Sequence, residues 1–196
     1  MNTSVKRVAE SAMLIAIGTV LSLLTFQGPW ALGGGITVCS MLPLVLIAHR
    51  YGTGWGILSA LVFSVLQLVL GINNVQYAPT AISAAGIIVL DYLLAFTVIG
   101  CSACFNGVIT NRRAAIVTGI CVTFFGRFVC HFLSGMLIWE ALMPNELGWA
   151  PAIWSLAYNG SYMLPELVIT AAVAALSYKP LEKYWLGKDV KLADNK

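Results

Sequence analysis

The chain is 196 residues long, 59% hydrophobic and 10% charged, with a formal net charge of +3 and a mean hydropathy of +0.86. That balance excludes an ordinary soluble domain and defines an integral membrane protein. No Gly-x4-Gly-Lys-Ser/Thr phosphate loop occurs, so the chain is not expected to hydrolyse ATP itself, and any energy must come from a partner.

Six apolar segments follow one another, at about 8–26, 37–49, 53–72, 80–104, 114–143 and 151–178, against a requirement of about 20 residues per span. The expectation is an all-α membrane protein with six transmembrane helices, a single domain over 1–196 that ends in a short basic tail at 179–196. The first segment is too long for a signal-peptide core and lacks a small-x-small cleavage site, so it reads as a retained helix. Between the first two segments, Gln27 to Gly35 sets Trp30 beside Gly33, Gly34 and Gly35. This suits a hinged flap over a cavity, and equally an interfacial tryptophan followed by a flexible connector. The second segment is short and ends at His49-Arg50-Tyr51-Gly52.

The fourth segment carries Asp91 and the fifth carries Arg127 and His131, with Glu140 near its end. The sixth carries Asn159 and Glu166. A charge at a helix centre costs about 2.5–3.5 kcal/mol on insertion scales, so each of these groups should face the bundle interior with a partner or ligand. From the rise of an α-helix, Asp91 lies about 16 Å, His131 about 18 Å and Asn159 about 12 Å from the same end of the bundle. Arg127, His131, Gly135 and Trp139 recur every four residues and share one helix face. On the sixth segment Trp154, Tyr158 and Tyr162 form an aromatic run beside Ser155 and Asn159. A carboxylate with an amide reads a donor and acceptor edge, and tryptophan faces attract a flat cation. A planar, cationic, polar vitamin fits.

Each signal has a plainer reading. Asp91 with Arg127 could be a structural ion pair. His131 could be a hydrogen-bonded core histidine, and no neighbouring spacing suits a metal. Glu166 follows Pro165, so it could cap a helix defect or bind a partner helix. Cys101-x-x-Cys104 lacks a second ligand pair, and all five cysteines read as small apolar side chains.

Charge orients the bundle. Lys6, Arg7, Arg50, Arg112, Arg113 and the lysines from Lys179 to Lys196 fall at the termini or in alternate loops, while the loops near 27–36, 73–79 and 144–150 carry no Lys or Arg. The positive-inside rule then puts both termini in the cytoplasm, and the +3 reflects topology rather than nucleic-acid binding.

Four stretches together resemble a known family: Gly33 to Pro43, Leu90-Asp91-Tyr92-Leu-Leu-Ala-Phe, Arg127 to Gly135, and Trp154-Ser155-Leu-Ala-Tyr158-Asn159. The chain is similar, over nearly its whole length, to the ThiT/YuaJ family, the thiamine-specific substrate-binding (S) components of energy-coupling factor (ECF) importers. The resemblance implies a six-helix S-component fold in a bacterial plasma membrane, not an enzyme, with no metal or cofactor and thiamine as the transported ligand. It implies binding through Asp91, Tyr92, His131, Trp139 and Asn159, with Arg127, Gly135, Trp154 and Ser155 around the pocket. The acidic position is glutamate in some relatives, and position 154 is tyrosine in some. A tryptophan found in the first outer loop of some members has no aligned counterpart in the glycine run, where Trp30 would substitute only by a loop shift. The implied partners are a transmembrane coupling (T) component and two cytoplasmic ATPases, docked at Ala12 and Ala16 of an Ala-x-x-x-Ala motif. The alternatives are an S component for another vitamin, or a membrane-embedded enzyme using Asp91 and His131.

Overall fold

Local sequence chemistry sets where each helix begins and ends in the computed structural model, which describes residues 3–28, 30 and 34–189. Gly33 of the glycine run and Lys191 and Lys196 of the basic tail lie outside the described residues. Helix α1 runs Thr3–Leu23. A two-residue strand pair follows, β1 (Thr25–Phe26) antiparallel to β2 (Ile36–Thr37), in the register Thr25↔Thr37 and Phe26↔Ile36.

Helix α2 (Leu42–Tyr51) has only ten residues, about 15 Å at the α-helical rise. The expected boundaries therefore move: 25–26 leave the first apolar segment and 37 leaves the second to join 36, and the two stretches pair as strands. The reason is local: Cys39 sits at φ 55, a left-handed conformation that interrupts a helix, and Pro43 suits the first helical turn because it has no N–H to satisfy. Gly52, at φ 92, separates α2 from α3 (Thr53–Leu70); side chains rarely adopt that conformation.

After a 3-10 segment at Ile72–Tyr77, three long rods complete the bundle: α4 (Ala81–Gly107), α5 (Arg112–Leu142) and α6 (Pro151–Tyr178). Thr80 caps α4 through a reciprocal pair with Ser83, and Asn111 caps α5 by accepting from the Ala114 N–H at 3.1 Å. Each cap satisfies donors that the first helical turn leaves unpaired. A short α7 (Glu182–Trp185) ends the described chain. Among the described residues four helices, α3 to α6, are long and apolar enough to cross a membrane.

The rods pack through small residues. A Cβ at Gly119 would strike the Ser102 backbone, and Gly56 and Gly100 bring α3 and α4 into backbone contact. Such close approach is how helices gain contact in lipid, where apolar side chains have no preference for one another over the acyl chains. The core holds Phe63 and Phe96, edge to face at 5.6 Å, with Leu44, Ile47 and Ile120 fully or almost fully buried. Many large apolar side chains instead face outward, including Ile82, Leu156, Leu164 and Leu176, as a lipid-facing surface requires. The five cysteines are free, and Cys104 and Cys121 are exposed on that surface rather than packed inside.

One end of the bundle is tied by charge. Arg50, at the end of α2, donates to both oxygens of Asp189 at 2.6 Å and to Glu10 of α1 at 2.9 Å. Trp185 of α7 is buried against His49, ring centroids 6.1 Å apart. Lys6 joins the same cluster through Glu10 and Asp189. The bond to Arg50 holds the Asp189 carboxyl below its ordinary range.

Candidate functional site

Two stretches of π-helix build the wall of an internal cavity. The first, Ile88–Leu94, carries Asp91 and Tyr92; the second, Gly135–Trp139, ends at Trp139. Such wide turns are rare and recur at functional sites. In a regular α-helix each four-residue step overshoots one turn by about 40°, so Trp139 would drift off the face shared by Arg127 and His131. The wider turn takes up that drift and lets the indole reach α4.

Asp91 is the focus of the wall. Its Oδ2 accepts from the Trp139 indole N–H and the Ser134 hydroxyl, each at 2.8 Å, while Oδ1 lies 3.2 Å from His131 Nδ1. An ionised carboxylate only accepts, so beside it His131 donates through Nδ1. Its Nε2 has no hydrogen-bond partner among the described residues. Tyr92 points to the α3 side, donating to the Gly71 carbonyl at 2.9 Å and accepting from Asn74 at 2.9 Å.

The α6 side is a second hydrogen-bonded unit. Asn159 donates to the Ser155 carbonyl at 2.9 Å and to the His131 carbonyl at 3.3 Å, and its Oδ1 accepts from Tyr162 at 2.8 Å. Ser155 donates to the Phe132 carbonyl at 2.8 Å. Gly135 is what permits this join, because a Cβ there would meet Ser155 and lie 3.2 Å from Asn159 Nδ2. The missing side chain admits the neighbouring helix. Trp154, Tyr158 and Tyr162 continue as a ladder of rings with centroids 5.8 and 6.1 Å apart.

Arg127 does not pair with Asp91. It meets Glu166 of α6 at 2.6 Å, both buried, and its guanidinium lies 5.0 Å from the Phe96 ring. The other Glu166 oxygen accepts from Thr37 Oγ1, which also bonds Ser40 at 2.7 Å. Glu166 thus binds a neighbouring helix and ties β2 to the cavity floor. From the same loop, Trp30 donates to Ser161 at 2.6 Å and sets its edge on Tyr162 at 5.8 Å.

All nine residues singled out in sequence for the pocket line one cavity of about 310 Å³, at the small end of the range for ligand sites. Thr25, Gly34, Gly35 and Thr37 cover one side of it, and Gln67, Asn74 and Glu140 also face it. Sequence reasoning passed over Ser134 and Gln67, because neutral polar side chains are common in membrane helices and carry no insertion penalty large enough to stand out; Thr37 and Asn74 lie outside the long helices, on β2 and in the 3-10 segment. Ala12 and Ala16 lie elsewhere, exposed on the outward face of α1. Among the described residues, no group of three His, Cys, Asp or Glu side chains could hold a metal ion.

Fold and site together define a class: an all-α, multi-pass membrane protein with a polar, aromatic-walled cavity of ligand size. The chain belongs to the family described as thiamine transporter protein (Thia_YuaJ), whose model matches residues 8–184. It is 30% identical over 183 residues to the thiamine transporter ThiT of Bacillus subtilis, covering 88% of this chain and 90% of that one. It is 24% identical over 160 residues to ThiT of Lacticaseibacillus paracasei, covering 77% of each. The solved structure of ThiT from Listeria monocytogenes has the same fold, with a TM-score of 0.74 at 21% identity, spanning 94% of this chain and 99% of that one. The family is one of transporters rather than enzymes, and its setting is the bacterial plasma membrane.

Proposed function

We propose that this chain is the thiamine-binding S component of an ECF-type importer, taking thiamine from outside the cell into the cavity between α4, α5 and α6. The observation that carries the reading is the Asp91 carboxylate, fixed by Trp139, Ser134 and His131 on the cavity wall in a chain of the thiamine transporter family. In this reading Asp91 and the remaining acceptor capacity of Asn159 meet the aminopyrimidine edge, while Trp139 and His131 flank the rings. Thr25, Gly34, Gly35 and Thr37 close one side of the cavity, and Trp30 rests against Tyr162 of its wall.

Six helices cross or enter the membrane in this reading, with both termini in the cytoplasm, where the Arg50 cluster then lies. The exposed Ala12 and Ala16 offer a small-residue face on α1 to the T component, and two cytoplasmic ATPases drive reorientation. Titration of the purified, ligand-stripped protein with thiamine, followed by tryptophan fluorescence, tests the binding claim. A saturable change for thiamine and none for riboflavin supports it; no response to thiamine, or equal responses, defeats it.

A further inference from the structure

Glu140 sits where a carboxylate needs a reason. It follows Trp139 at the end of the π-helical turn and faces the cavity. Its Oε1 accepts from the Asn145 side chain at 2.8 Å and from the Asn145 N–H at 3.3 Å. Asn145 in turn grips both the N–H and the carbonyl of Trp149 at 2.9 Å, so one carboxylate oxygen organises the loop from α5 to α6. The other oxygen, Oε2, is shielded from bulk solvent and has no hydrogen-bond partner among the described residues.

The charge around it is lopsided. Asp91, Arg127 and Glu140 are the formally charged side chains lining the cavity, and the Arg127 charge is matched by Glu166. Asp91 has three hydrogen-bond donors around it; among the described residues Glu140 has only the neutral Asn145. A carboxylate on a protein wall acts on a ligand more strongly than one in bulk water, attracting a cation and repelling an anion.

We infer that Glu140 is a selectivity residue: its carboxylate on the cavity wall favours the cationic vitamin and disfavours the same vitamin carrying a phosphate ester. The inference rests on the thiamine reading above and adds a residue that the family resemblance did not assign. It requires no new group in the site. The loop tether keeps Glu140 on the cavity wall, so its charge acts on whatever charge a ligand brings into the cavity.

The test is a fluorescence titration of the unaltered protein, Glu140→Gln and Asn145→Ala with thiamine and with thiamine monophosphate. Glutamine keeps the acceptor for Asn145 while removing the charge. The unaltered protein is expected to prefer thiamine by at least about tenfold. In Glu140→Gln the two affinities should move in opposite directions, thiamine weaker and monophosphate tighter, narrowing the preference by about tenfold. Asn145→Ala keeps the charge, so both affinities should shift in parallel. Equal affinities in the unaltered protein, parallel weakening in Glu140→Gln, or equal narrowing in Asn145→Ala would overturn the inference alone. Absence of thiamine binding by the unaltered protein would overturn the vitamin reading and this inference with it.

Discussion

Replacing Asp91 by asparagine changes one atom at the centre of the site. The carboxylate accepts two hydrogen bonds at 2.8 Å through Oδ2 and faces His131 Nδ1 at 3.2 Å through Oδ1. An amide has one oxygen and one NH2 group, so whichever way it turns, a donor faces a donor. If the oxygen stays with Trp139 and Ser134, the NH2 meets the Nδ1–H of His131, and that contact is lost unless the ring turns or presents a bare nitrogen. The charge that would attract a cationic ligand is lost as well. Hydrogen bonds to a charged group are worth about 1.5–3 kcal/mol, so a loss of about 2–3 kcal/mol in binding is expected, roughly 30- to 150-fold. Fluorescence titration of thiamine against Asp91→Asn gives the affinity, and a thermal melt of the same sample reports whether the fold survives. An affinity within threefold of the unaltered protein, with the fold intact, would refute the placement of Asp91 at the ligand.

Three further outcomes follow from other contacts. Glu166→Gln leaves the buried Arg127 without its ion pair, a change that costs about 3–5 kcal/mol; a clear fall in melting temperature is expected, and an unchanged melt would mean the pair contributes nothing. At the basic end, Arg50 depresses the Asp189 pKa, so this pair stabilises the fold above the ordinary aspartate value of 3.8 and loses its effect as pH falls through the lower folded value. Asp189→Asn should therefore melt earlier than the unaltered protein at pH 7, with the gap closing in acid; a gap unchanged all the way down an acid titration would contradict the ion pair as its cause. Ala12→Leu or Ala16→Leu places a bulky side chain on the exposed face of α1, so uptake in a reconstituted importer should fall with thiamine binding intact, and normal uptake would move the coupling contact elsewhere.

Asp91, Arg127, His131 and Asn159 were legible in the sequence because polar groups in apolar helices are costly and must converge on something. Their partners were not legible in the same way. The Arg127–Glu166 pair joins residues 39 apart in sequence, and the spacing of Arg127 offered Asp91 as readily. Ser134 is the clearest omission: it is fully buried and bonds Asp91, yet a serine in a membrane helix usually satisfies itself on its own backbone. The four-residue rhythm from Arg127 to Trp139 was visible, but the π-helical turn that keeps Trp139 on the face has no marker in the spacing. The strands β1 and β2 are two residues each and sit in stretches apolar enough to extend the neighbouring helices. What the sequence did carry at α2 was its shortness, and Pro43 and Gly52 marked its ends.

The central claim is that thiamine occupies the cavity walled by Asp91, His131 and Trp139. A structure of the purified protein with thiamine bound tests it most directly. The account predicts ligand density in that cavity, with the aminopyrimidine edge at Asp91 and a ring against the Trp139 indole. Thiamine bound at any other place, with Asp91 and Trp139 still bonded to each other and untouched by ligand, would contradict it.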